Sequence, residues 1–159
     1  MDYLEEEMQA ILDGVDINSR TGIRDSALLL LLYNTGARVS EIVMLEIPDL
    51  SLNGSGKVQL LGKGNKYRSC PLWPETIAAL KDYLEQRSPK EPKIKQLFLN
   101  ANGDPITRFG IRYITKKYAG VAREECPSIK DKAVTLSPPT AMICYLKFYL
   151  ELIIFLRSL

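Results

Sequence analysis

Asn34-Thr35-Gly36-Ala37-Arg38-Val39-Ser40-Glu41-Ile42 decides how this chain is read. Before it stands Ala27-Leu28-Leu29-Leu30-Leu31-Leu32, a run apolar all round, which predicts a central buried helix over residues 24–34. Gly36 suits the left-handed residue that closes a helix. Val39, Ile42, Val43 and Leu45 predict a second helix that ends before Pro48. Arg38 is left at the junction of the two, where neighbours can fix its planar fork.

Working outward, Met8, Ile11 and Leu12 are spaced as in a short amphipathic helix over residues 5–13, and residues 14–22 read as a polar connection. Downstream, Asn53-Gly54-Ser55-Gly56 breaks the helical pattern. Lys57–Leu61 and a returning segment, 66–70, predict a hairpin closed by Gly62-Lys63-Gly64-Asn65, residues that accept positive φ. Pro74 at a first helical position, with Glu75 behind it, starts a helix whose inner stripe is Ile77, Leu80 and Leu84. Gln96-Leu97-Phe98-Leu99 predicts a short strand. Thr107 then caps a helix with Ile111, Ile114, Tyr118 and Val121 inward and Arg112, Lys116 and Lys117 outward. The pattern is that of an α+β domain, mainly helical with a small antiparallel sheet, and not a βαβ series.

Composition narrows the function. The 159 residues, 46% apolar, suit one globular domain with a core. Residues 1–55 hold 3 Lys/Arg and 10 Asp/Glu, whereas residues 56–135 hold 16 Lys/Arg and 8 Asp/Glu. The basic stretch reads either as solvated surface or as a face for a polyanion. Cys70, Cys126 and Cys144 are widely spaced, and the chain has no histidine. These read as reduced thiols, with no metal site. The acidic start Met1-Asp2-Tyr3-Leu4-Glu5-Glu6-Glu7 is unlike a secretory signal. The apolar stretch 141–156 contains Lys147 and Glu151 and is short of the roughly 20 apolar residues a spanning helix needs, so it reads as a C-terminal helix and not as a membrane segment.

Two side chains stand out chemically. A guanidinium matches two phosphate oxygens and stays charged, so a rigidly held Arg38 can stabilise a phosphodiester; the alternative is a structural Arg38–Glu41 i,i+3 pair. Lys63, on its glycine-flanked turn, can protonate a leaving alkoxide or be an ordinary exposed turn lysine.

In order, spacing and identity, the Arg38 stretch together with Gly62-Lys63-Gly64-Asn65-Lys66-Tyr67-Arg68 and Pro71-Leu72 resembles the catalytic domain of the tyrosine recombinase (phage integrase) family. The resemblance runs from about Tyr3 to about Pro138. It implies the fold of the DNA breaking-rejoining catalytic core and site-specific DNA strand exchange through a 3′-phosphotyrosyl intermediate, without metal or cofactor. Carried over, Arg38 is the first catalytic arginine, Lys63 the general acid for the 5′ oxygen, and Glu41 the supporting acid of the Arg38 stretch. Lys66, Arg68, Arg112 and Lys116 are the implied DNA contacts. The implied partners are double-stranded DNA and other recombinase protomers, with no small-molecule substrate, in the cytoplasm at the nucleoid.

The chain departs from that pattern at its end. Leu136-Ser137-Pro138 matches the approach to the family's histidine box, but Pro139 stands where the histidine belongs. Residues 1–138 therefore read as an incomplete core and residues 139–159 as a divergent apolar tail. A base lost after the Met142 codon would turn Met-His-Leu into Met142-Ile143-Cys144. Tyr145 and Tyr149 read as filler in that tail and not as nucleophiles. The front reads as too short for the family's N-terminal clamp domain. The expectation is a fragment inactive alone, with a DNA-backbone-binding remnant or a decayed gene product as the alternatives.

Overall fold

Ser19 starts the central helix, because its Oγ accepts the Gly22 amide at 3.0 Å. In the computed structural model, which describes residues 9–125, this helix α1 covers Arg20–Thr35. It begins four residues before the apolar run predicts. The polar connection ends in a side-chain cap, and Gly22 allows the tight entry: a Cβ there would lie 1.8 Å from the Asp16 carbonyl oxygen. Ala27, Leu28, Leu29 and Leu31 are wholly buried. Each buried leucine contributes about 2 kcal/mol of transfer free energy.

Gly36, at φ 59°, ends α1 and donates its N–H to Leu32. Helix α2 (Val39–Met44) follows at once, and a 3-10 turn (Ile47–Asp49) takes up Pro48. The sheet has three antiparallel strands in the order β1 (Leu50–Ser51), β2 (Lys57–Leu61) and β3 (Tyr67–Pro71). The hairpin was legible; the two-residue β1 was too short to read. Opposite residues share a face, so Val58 faces Cys70 and Leu60 faces Arg68 on the side that meets α2.

Helix α3 (Pro74–Gln86) packs along α1. Its buried line is Thr76, Leu80 and Tyr83, one step round from the predicted Ile77, Leu80 and Leu84. The predicted strand at 96–99 is a buried extended segment without a ladder. It makes single bridges, Glu46 to Gln96 and Leu99 to Pro105. Leu97 N and Phe98 O bond the backbone at Leu45 and Ile106, and side chains take others: Tyr83 Oη donates to Leu97 O and accepts from Leu99 N, both at 3.0 Å, and Arg87 donates to the carbonyls of Ile94, Gln96 and Leu97. The Tyr83 ring stacks on Phe98 at 5.3 Å.

Helix α4 (Arg108–Glu125) is capped by Thr107, whose Oγ1 accepts from Gly110. Ile111, Ile114, Tyr118 and Ala122 are buried, while Val121 is 37% exposed and lies off the inner face. A buried polar link ties α4 to α1. Tyr118 Oη donates to Asp25 Oδ2 at 3.0 Å, and Arg24 Nη2 meets Asp25 Oδ1 at 2.6 Å. Residues 9–13 are helical, as read; the rest of that first helix, the Ser137-Pro138-Pro139 stretch and the tail with Tyr145 and Tyr149 lie outside the described residues.

Candidate functional site

The Asn34-to-Ile42 stretch is a hub of tertiary hydrogen bonds. Asn34 is buried; its amide donates to Pro71 O at 3.1 Å and accepts from Trp73 N at 2.7 Å, tying the end of α1 to the strand–helix link behind β3. Thr35 Oγ1 donates back to Leu31 O and accepts from Ala37 N, satisfying backbone groups at the helix end. The next residue, Arg38, is the N-cap of α2 in an extended conformation.

Glu41 carries the junction. Its Oε2 accepts the Arg38 backbone N–H at 2.6 Å, half of a capping box. The Arg38 guanidinium, having no lone pair, supplies no other half. The Arg38–Glu41 side-chain pair, the alternative reading of Arg38, does not form. Instead Glu41 accepts Arg68 Nη2 at 3.0 Å and, weakly, Arg68 Nε at 3.5 Å. Arg68 Nη1 also donates to Thr35 O and Cys70 Sγ, both at 3.3 Å. One arginine on β3 thus ties the hairpin to the last carbonyls of α1 and the first turn of α2. The hairpin neck lies beside the same carboxylate, since a Cβ on Gly62 would lie 3.4 Å from Glu41 Oε1.

The electrostatics follow from this packing. The Glu41 side chain is 6% exposed and that of Arg68 42%. Burial pulls the Arg68 guanidinium down, but its hydrogen bond to the Glu41 carboxylate and the neighbouring negative charge more than reverse this, so its pKa lies above the ordinary value. Burial raises the Cys70 thiol, Arg68 opposes and Glu41 adds, leaving Cys70 protonated at neutral pH.

The other sequence-predicted groups divide cleanly. Arg38 is exposed, and its guanidinium has no protein partner among the described residues. Lys63 and Lys66 are exposed on the hairpin turn, where Gly64 (φ 76°) and Asn65 (φ 58°) reverse the chain and Gly62 N donates to Lys66 O at 2.8 Å. Arg112 and Lys116 are exposed on α4, which packs against α2. They share their face with Arg108 and with Phe109 and Tyr113, 79% and 71% exposed. Arg68 alone among the six basic residues is internally committed. Sequence reasoning placed it with the DNA contacts and missed the clamp. The signal was register: a residue paired with the core Leu60 shares its inward face.

Among the described residues no three His, Cys, Asp or Glu side chains gather as metal ligands. What the arrangement offers is cationic: an exposed arginine on a braced helix cap, lysines on a braced turn, and a helix face of cations and aromatic rings.

The fold is that of tyrosine recombinase catalytic domains. A crystal structure of XerH recombinase bound to difH substrate, a pre-cleavage complex, superposes with a TM-score of 0.70 at 23% identity, over 89% of this chain and 39% of that one. The family model for the phage integrase family matches residues 3–131, and the chain belongs to that family. It is 44% identical over 124 residues to the tyrosine recombinase XerC of Staphylococcus carnosus, covering 75% of this chain and 42% of that protein. To the tyrosine recombinase XerD of Staphylococcus epidermidis it is 41% identical over 121 residues, 74% of this chain and 41% of that one. The chain thus spans about two fifths of the length of the curated relatives it matches.

Proposed function

We propose that these residues form the phosphate-handling half of a site-specific DNA strand-exchange enzyme. The observation that carries this is the exposed Arg38 on a junction locked by Glu41, Arg68 and Thr35. The junction fixes the Arg38 backbone, so only the side-chain torsions remain to be set when its guanidinium meets the non-bridging oxygens of a phosphate. In this reading Arg38 takes the non-bridging oxygens of the scissile phosphate, and Lys63 gives its proton to the departing 5′ oxygen. Lys66 and the α4 face with Arg112 and Lys116 hold the duplex backbone. Arg68, with Glu41, positions the hairpin against the junction.

The nucleophile is not assigned within the 159 residues. An attacking tyrosine forms the phosphotyrosyl bond as the 5′ oxygen leaves, and without it no covalent step occurs. The proposal is that this chain alone binds duplex DNA, as the exposed cation–aromatic face of α4 supports, and does not cut it.

A nicked suicide duplex tests both parts. The expected result is salt-sensitive binding, weakened by Arg38→Ala, with no covalent adduct on a denaturing gel. An adduct mapping to Tyr145 or Tyr149 would overturn the inactivity. Absence of binding at low salt would overturn the DNA reading itself.

A further inference from the structure

The far end of α1 carries a second cationic feature. A cavity of about 70 Å³ lies there, lined by Arg20, Thr21, Arg24, Tyr83, Arg87 and Asn100 among others. Three guanidinia on one small cavity repel one another. The first turn of α1 contains no acidic residue, so the positive helix end adds to the excess. Asp25, 2.6 Å from Arg24, offsets one charge.

Two of the three are held rigidly. Arg24 is pinned by Asp25 and by Leu99 O at 3.2 Å, and Arg87 by the carbonyls of Ile94, Gln96 and Leu97. A guanidinium has five N–H donors. Arg87 uses Nε and Nη2 on those carbonyls, which leaves Nη1 without a protein acceptor among the described residues. Arg20 is exposed and uses none of its donors on described residues. The cavity thus pairs fixed cations with unspent donors, a combination that a tetrahedral oxyanion satisfies.

We propose that this cavity is a phosphate-binding site distinct from the Arg38 site. The 16 residues of α1 separate the two ends by about 24 Å. The volume is enough for one phosphate group. The group arrives either as free inorganic phosphate or as a phosphodiester of a DNA strand passing the mouth. The free-phosphate source stands whether or not the DNA reading holds.

Arg20 is the residue to change, because it is exposed and bonded to nothing described, whereas Arg24 and Arg87 hold backbone. The test uses an Arg38→Ala background, so that the other phosphate grip is gone. Melting is followed with inorganic phosphate against sodium chloride at matched ionic strength. Phosphate is expected to raise the midpoint beyond chloride, and Arg20→Gln to remove most of that increment. Equal effects of the two salts, or an undiminished phosphate response in Arg20→Gln, overturn the site. The salt dependence of duplex binding then separates the sources: with a strand phosphate in the cavity, Arg20→Gln lowers the slope of log K against log salt by about one. An unchanged slope beside a lost phosphate response assigns free phosphate.

Discussion

At the residue scale, Glu41 and Arg68 are unequal partners. The carboxylate is buried and the guanidinium half exposed. Removing Arg68 strands a buried charge, while removing Glu41 leaves a cation that reaches water. Arg68→Ala is therefore expected to cost about 3 kcal/mol and Glu41→Gln about 1–2 kcal/mol by urea denaturation. A reversed order would sink the clamp as described. Arg38→Ala, at an exposed guanidinium with no described protein partner, is expected to change stability by no more than about 0.5 kcal/mol while weakening DNA binding. Thr76 makes the opposite case. It is wholly buried and its hydroxyl has no hydrogen-bond partner among the described residues, so Thr76→Val is expected to be neutral or stabilising by up to about 1 kcal/mol.

Two buried tyrosines give stability a pH dependence. Burial, and then the Asp25 carboxylate, hold the Tyr118 hydroxyl above its ordinary pKa; burial does the same for Tyr83 against the pull of its Leu99 hydrogen bond and nearby arginines. The folded state keeps these protons at pH values where the unfolded chain has lost them. Stability is therefore full below pH of about 10 and falls as pH rises past it. Urea midpoints between pH 8 and 11 should show this alkaline loss, and Tyr118→Phe should shrink it although it lowers stability at neutral pH.

At the scale of elements, the hairpin turn and the α1 ends are the points to probe. Gly64 at φ 76° has open space around it among the described residues, so Gly64→Ala meets no clash with them but strains the backbone. The expected cost is about 1–2 kcal/mol, or instead a turn that shifts and moves Lys63, which comparison of hairpin amide NMR shifts would reveal. The segment at 96–99 shows why some elements resist reading. Its apolar pattern is that of a buried strand, and buried it is, yet Tyr83 Oη and Arg87 take some of the backbone groups that a neighbouring strand would have taken. Periodicity reports burial and is silent on where the hydrogen bonds go. The α3 stripe differs for a related reason: Tyr83 holds the inner line because its hydroxyl bonds the 97–99 backbone and its ring stacks on Phe98, and Thr76 is buried on the same line.

At the scale of the whole molecule, net charge conceals the division that matters. The excess of cations downstream of residue 55 takes form as two exposed surfaces, the hairpin turn and the α4 face. Lys116→Glu together with Arg112→Glu is expected to lower duplex affinity at least tenfold at low salt and to flatten its salt dependence by about two to four units, with little change in melting temperature. Fluorescence anisotropy over a salt series reads this directly.

The succession of helices, the hairpin, the buried leucine helix, the Gly36 break and the glycine turn beneath Lys63 were determined by the sequence alone. Each rests on local chemistry, in apolar periodicity or on a backbone that only certain residues adopt. The placement of Arg38 and Lys63 on local breaks, a helix junction and a glycine turn, was legible for the same reason. What Glu41 and Arg68 do was decided only by the tertiary structure. The two are 27 positions apart in the chain, and whether Glu41 faces Arg38 or Arg68 depends on how the hairpin folds back onto the helix junction. A carboxylate pairs with the guanidinium that packing delivers to it, and packing joins residues that no sequence spacing relates.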